Sequence, residues 1–178
     1  MNARFSFLFD ILIFKAAWVL CVLAIKTPIP AISPYIGILL VSGRAWMTGR
    51  FRNSLPFAVV CLFLGILGDA TLVQLNLLQF PPYPNIGGNP LWMISLWVCF
   101  GIMLRPVFTW FIDQSMRSII GFALGGVIAY WSGQQLGVLE FTHSWFSAMG
   151  IAVEWAIAGM AFHFLHLKFP ATIEHEHA

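Results

Sequence analysis

The chain has 178 residues, 60% of them apolar and only 9% charged, with a net charge of +2. Soluble domains carry about 25% charged residues, so this composition excludes an ordinary water-soluble globule and points to an all-α integral membrane protein. So slight a positive charge, with no basic run, RNP-like segment or zinc-finger spacing, also excludes nucleic acid as a partner.

Taken in chain order, the apolar runs give about six transmembrane helices in one compact bundle. Residues 5–25 are long enough to span, since a bilayer crossing takes about 20 residues. No small-residue cleavage site follows, so this run reads as a retained helix and not as a signal peptide. Thr27-Pro28-Ile29-Pro30 breaks the chain, and a second span covers 31–47, interrupted near its end by Gly43-Arg44. After a loop at 50–53, Ser54 has the character of a helix N-cap, with Pro56 tolerated in the first turn. The third span covers 55–78. The uncharged stretch 80–90, rich in Pro, Gly and Asn, is a loop. The fourth span covers 91–112, and Pro106 should kink it. Residues 113–117 lead into the fifth span, 118–136. The sixth covers 145–168, and Pro170 stops it. Residues 1–169 thus form one six-helix domain, and 170–178 a short polar tail.

Charge sets the orientation. One side of such a bundle receives Arg4, Arg44, Arg50, Arg52, Arg117 and Lys168, and the other only Lys26. Positively charged loops stay in the cytoplasm, which puts both termini there and requires an even number of spans. The loop after Phe80 then faces outward. The chain is thus expected to cross a membrane that bounds the cytoplasm, with lipids as partners.

Four charges fall within spans: Lys15, Asp69, Arg105 and Glu154. Arg, Lys or Asp at mid-membrane costs roughly 2.5–3.5 kcal/mol on insertion scales, so such groups face a partner or a wet cavity. At 1.5 Å per residue, Asp69 and Glu154 both lie roughly 15 Å below the outer surface. Arg105 is deeper, and Asp10 sits near enough to the cytoplasmic end to snorkel to water. Two acids and two bases at overlapping depths suggest structural ion pairs or a polar pocket. Candidate lining residues are Asp69, Glu154, Tyr130, Arg105, Lys15, Trp97 and Gln134. Small residues around Asp69 in Gly65-Ile66-Leu67-Gly68-Asp69-Ala70 allow another helix to come close.

The fifth span carries Gly121, Gly125, Ala129, Gly133 and Gly137 at intervals of four. Small-xxx-small repeats let helices approach closely; the use is either intramolecular packing or a face for homodimerisation or another membrane protein. Cys21, Cys61 and Cys99 lie in apolar runs with no CxxC and read as small buried hydrophobes. His163 and His166 share a helical face but lack further ligands at metal spacing, so they read as an interfacial pair, and His175-Glu176-His177 as a solvated tail. No P-loop, dinucleotide fingerprint, GxSxG or HExxH is present. Neither a metal nor a cofactor is expected.

A set of segments carries a family resemblance: Phe14-Lys15-Ala16-Ala17-Trp18, Leu67-Gly68-Asp69-Ala70-Thr71-Leu72, Asn89-Pro90-Leu91-Trp92 through Trp97 and Phe100, the run from Gly125 to Gly137, and Val153-Glu154-Trp155. In order and spacing the chain resembles the small bacterial inner-membrane proteins grouped as the domain of unknown function 2878 family. Asp69, Trp97, Tyr130 and Glu154 match that pattern. Lys15 and Arg105 depart from it: the pattern has amides near Asp10 and Lys15 and a Leu-Asn-His-Ser-like run in place of Leu104-Arg105-Pro106-Val107. The resemblance implies an architecture, candidate site residues and a lipid-related role, but no established activity. Three functions stay open. One is a non-enzymatic component that binds or moves a small amphiphile or assists membrane-lipid modification. The second is a membrane-embedded enzyme using Asp69 and Glu154, and the third a structural or assembly protein.

Overall fold

The computed structural model describes residues 3–169 and is all-α, with six α-helices and two small strand pairs. The helices are α1 (Ala3–Val22), α2 (Ser33–Met47), α3 (Phe51–Gln74), α4 (Leu91–Ile112), α5 (Ser115–Gln135) and α6 (Ser144–Lys168), with a turn of 3-10 helix at Ala24–Lys26. The polar tail, with Pro170, His175 and His177, lies outside the described residues. Among those described, α1, α3, α4 and α6 are long and apolar enough to cross a membrane. At 15 residues α2 is shorter than a full crossing, and the glycines, serines and glutamines of α5 dilute its hydropathy.

Several boundaries differ from expectation. Helix α3 begins at Phe51, so Ser54 lies inside the first turn and donates to the Arg50 carbonyl instead of capping the helix. Pro56 is carried within α3. In α4, Pro106 lacks the N–H that would close a turn, and Phe108, two residues on, takes non-helical angles (φ −116°, ψ 16°), which places the kink. The loop at 80–90 contains structure that its composition concealed. Strand β1 (Leu78–Gln79) pairs antiparallel with β4 (Glu140–Phe141), and β2 (Asn85–Ile86) with β3 (Asn89–Pro90). Three helix ends close on left-handed residues, the first at Gly49 (φ 69°) after α2, where Arg50 N–H donates back to Ala45. Asn76 (φ 56°) follows α3 and lets Leu77 N–H donate back to Leu72, while Gly137 (φ 66°) follows α5 and lets Val138 N–H donate back to Gly133. Such 6→1 bonds satisfy carbonyls that a helix end leaves open. Gly137 therefore ends the fifth helix rather than extending its packing stripe.

Cross-chain bonds fix an up-and-down arrangement. Tyr83 donates from its hydroxyl to the Pro30 carbonyl at 2.6 Å, Lys26 donates to the Leu136 carbonyl, and β1 pairs with β4. The three connections α1–α2, α3–α4 and α5–α6 therefore meet at one end. At the opposite end Asp10 joins α1 to the end of α2, and His163 of α6 meets the Ile112 carbonyl at 2.8 Å. Helix α4 is the central post: 61% of its apolar stretch is buried, against 22–33% for the other three long helices. It packs on α1, α2 and α3, while α5 and α6 form a close pair beside it. The three cysteines are free and buried.

Asp10 does not snorkel. It is 2% exposed and sits between Arg44 (Nε–Oδ1 2.6 Å) and Arg50 (Nη2–Oδ2 2.9 Å), with Ser6 Oγ accepting from Arg44 Nη2 at 2.8 Å. The bond to Arg44 spans 34 residues and the one to Arg50 spans 40, so sequence neighbourhood gave no sign of either. Gly43-Arg44 is not a ragged end but the partner that holds α1 to α2. Removing one member of a buried pair costs about 3–5 kcal/mol. Asp10→Ala should therefore lower the thermal midpoint of the detergent-solubilised protein clearly more than Asp113→Ala, which breaks the exposed Asp113–Arg117 pair, as read by the monodisperse fraction after heating.

Candidate functional site

The site begins with a carboxylate that water cannot reach. Asp69 is fully buried on α3. Its Oδ1 accepts from the Tyr130 hydroxyl of α5. Its Oδ2 accepts from Trp97 Nε1 of α4 at 2.8 Å and from Asn89 Nδ2 at 3.1 Å. Asn89, on β3 just ahead of α4, donates from the same nitrogen to the Gly65 carbonyl at 2.8 Å. Three elements thus converge on one side chain of α3, and every partner is itself buried.

Small residues make room for this convergence. A Cβ on Gly65 would overlap the Trp97 ring, and one on Gly126 would overlap the Trp155 ring. Between these two glycines the indoles of Trp97 and Trp155 stack, with centroids 4.4 Å apart and planes at 21°. Such pairs contribute about 0.5–1.5 kcal/mol beyond their burial. Phe100 packs edge-on against Trp155 (5.3 Å) and Phe122 (5.8 Å), continuing the aromatic cluster downward.

Trp97 and Tyr130 turn their polar atoms toward Asp69 and their rings toward a cavity of about 250 Å³. Its walls are Phe14 and Trp18 of α1, Trp92, Trp97 and Phe100 of α4, Tyr130 and the small residues Gly121, Gly125, Ala129 and Gly133 of α5, and Trp155 of α6. The stripe on α5 therefore borders a hollow instead of a tightly packed helix. Gly125 faces open space, since a Cβ there would meet nothing within 4 Å. No charged side chain lines the cavity. In its wall, the buried indole N–H of Trp92 donates to no protein acceptor.

The seven candidate residues therefore do not share one polar pocket. Asp69, Trp97 and Tyr130 come together. Glu154 stands apart, its carboxylate pressed against Gly68 and facing a groove between α3 and α6. Gln134 accepts from the Phe141 backbone N–H at 2.8 Å and organises the loop end of the bundle. Arg105 pairs with neither acid and lies over the Phe57 ring at 4.5 Å. Lys15 is exposed on the outer face of α1. The expectation that two bases counter the two acids fails because the donors to Asp69 are neutral. Asn89 and Trp155 were missed as participants. The signal for Asn89 was an amide in an uncharged loop directly before a span, and for Trp155 an aromatic next to a buried acid. Among the described residues no three His, Cys, Asp or Glu side chains cluster as metal ligands.

Residues 7–161 match the family described as protein of unknown function (DUF2878). The chain belongs to that family. The match takes in Asp69, Asn89, Trp97, Tyr130, Glu154 and Trp155, so the whole cluster lies within the family's extent. No curated protein and no solved structure matches the chain.

Losing a hydrogen bond to a charged group costs about 1.5–3 kcal/mol, and each buried donor left without an acceptor about 1–3 kcal/mol. Tyr130→Phe should destabilise the protein by about 2 kcal/mol. Asp69→Leu should cost more, because it leaves Tyr130 and Trp97 without their acceptor and deprives Asn89 of one of two. Thermal unfolding followed by tryptophan fluorescence checks the order; a Leu variant as stable as the parent would contradict the network.

Proposed function

We propose that this is a six-span inner-membrane protein with both termini cytoplasmic that binds a small amphiphile in the aromatic cavity, without catalysing its conversion. Support for the six spans comes from the alternation of the helices and from charge. Arg44, Arg50 and Arg117 lie at or near one end of the bundle and Lys26 at the other, the distribution that the positive-inside rule demands. Large apolar side chains point outward along every helix but the central α4, as at Leu124 and Ile128 of α5 and at Val153, Ile157, Met160 and Phe164 of α6. Exposed tryptophans stand near both ends, Trp46 and Trp110 at one and Trp131 and Trp145 at the other, where interfacial aromatics settle. Helix α2 reaches the outer surface with the help of the hydrogen-bonded turn at Ile29–Ser33 that precedes it.

The observation that carries the binding reading is the cavity wall. It is aromatic and uncharged, and contains two unused donors, the indole N–H groups of Trp92 and Trp155. Binding sites for small molecules are mostly apolar with few placed polar groups, and this one suits an apolar body bearing an acceptor such as an ester, ether or hydroxyl oxygen. Helices α1 and α5, which flank the hollow, do not pack closely on each other, so the bilayer is the natural route of entry. The enzyme reading is weaker because both Asp69 oxygens are engaged by neighbours and its carboxylate does not border the cavity. Among the described residues no acid or histidine borders the cavity to act as a base. A lipid-handling role agrees with these surroundings.

Gly125→Trp tests the reading because its side chain enters open space. The variant should fold with a midpoint close to that of the parent and should lose the amphiphile that copurifies with the parent, as measured by lipid mass spectrometry. Equal lipid content in both would reject the cavity as the site. For orientation, Ile86→Cys places an exposed thiol in the loop before α4 while the native thiols stay buried. An impermeant maleimide should label it on intact spheroplasts, and labelling only after lysis would reverse the topology.

A further inference from the structure

A second hollow shares no lining residue with the aromatic cavity. It is a groove between α3 and α6 of about 770 Å³, walled by Leu67, Leu75, Phe146, Met149, Val153 and Ile157 and open to the surroundings of the helices. All six of these side chains are exposed apolar groups, so in a bilayer the groove would face acyl chains. One ionisable carboxyl enters it, that of Glu154. Both of its oxygens are buried and neither accepts a hydrogen bond from the protein.

The isolation of Glu154 is built in by the helix packing. Gly68 of α3 leaves the notch in which the carboxylate rests, because a Cβ there would overlap Glu154 Oε1. The other polar side chains on the groove cannot serve it as counter-ions. Thr71 spends its hydroxyl proton on the Leu67 carbonyl at 2.6 Å. His143 stands at the far end, ahead of the first turn of α6, about 16 Å away along the helix at 1.5 Å per residue. Neither Lys nor Arg lines the groove. An ionised acid in apolar surroundings is costly unless it is paired and hydrogen-bonded. An occupant with a basic nitrogen supplies both things the acid lacks here, a base to take its proton and N–H donors to return to its oxygens.

We propose that this groove is a binding site for a lipophilic ammonium cation, with Glu154 as its counter-ion and hydrogen-bond acceptor and the apolar body lying along α6 toward His143. An amine enters from the bilayer as the free base, and amine and carboxyl then share a single proton. The pair has no net charge, so neither partner stays as a lone ion in the apolar groove. The site is separate from the aromatic cavity, since the two hollows have no lining residue in common.

The test uses the full chain in maltoside micelles, with dodecylamine, dodecanol and dodecyl sulfate as probes at equal mole fraction, and reads bound adducts by native mass spectrometry. The parent should bind one dodecylammonium. Glu154→Gln should bind it at least about tenfold more weakly, the scale of one charge-assisted hydrogen bond, while retaining its fold by circular dichroism. Dodecanol should bind the parent no better than dodecylammonium binds the Gln variant, and dodecyl sulfate should bind least. Glu154→Asp, if folded, should recover part of the affinity, and Gly125→Trp should leave ammonium binding intact. Equal ammonium affinity in the parent and the Gln variant, or dodecanol binding as tightly as the ammonium, would overturn the proposal. So would loss of ammonium binding in Gly125→Trp, which would place the ligand in the aromatic cavity.

Discussion

The carboxylate of Asp69 holds the interior together. It accepts from α4, from the loop residue before α4 and from α5, and so ties together parts of the chain that are as far apart as 61 residues. Away from water unsatisfied polar groups are costly, and the neutral donors of Tyr130, Trp97 and Asn89 engage both oxygens of this carboxyl. The bonds also set orientation. Once the Trp97 indole N–H and the Tyr130 hydroxyl are committed to Asp69, their rings have only one way to face. That direction is the cavity, and the glycines at 65 and 126 give the stacked indoles the space to lie there.

The same carboxylate divides the molecule into two chemically different hollows. Toward α5, its donors present an uncharged aromatic wall. Toward α6, Gly68 and Glu154 leave an acid without a partner. The two mid-depth acids thus have opposite fates because of what packs on each. Asp69 meets an indole, a phenol and an amide. Glu154, on another helix, rests against Gly68 and accepts no hydrogen bond.

Much of this was legible in the sequence, and the divisions follow physical range. Helix existence rested on long apolar runs, a local property, and all six helices appear. The strand pairing of β1 with β4 was not legible, because it depends on hydrogen bonds between distant backbone segments; the αL residue at Asn76 and the early start of α3 at Phe51 are local, but hydropathy does not mark helix ends. Asp69, Trp97 and Tyr130 could be singled out as polar or aromatic groups at depth. Which of the four charges within the apolar runs belonged together could not, since side-chain direction on a helix whose every face is apolar leaves no periodic trace. Asp10 shows the same limit: its partners Arg44 and Arg50 come from another helix and its following turn. The stripe on α5 was read correctly as a line of small residues, yet those residues border a hollow and do not simply seat a neighbouring helix. Small side chains permit both outcomes, and only the position of α1 and α4 decides between them.

Dispersion alone gives a chain little reason to enter a packed protein from lipid, because both media are apolar. A cavity of about 250 Å³ kept open by fixed rings removes the cost of making that space. Anomalous diffraction from the protein crystallised with a bromine-labelled acyl lipid examines that premise most directly. A pre-formed binding cavity predicts a bromine peak between Phe14, Gly125 and Trp155, with Trp97 and Tyr130 still bonded to Asp69. A cavity closed by side-chain collapse, with bromine found only on the outer faces of the helices, would contradict it.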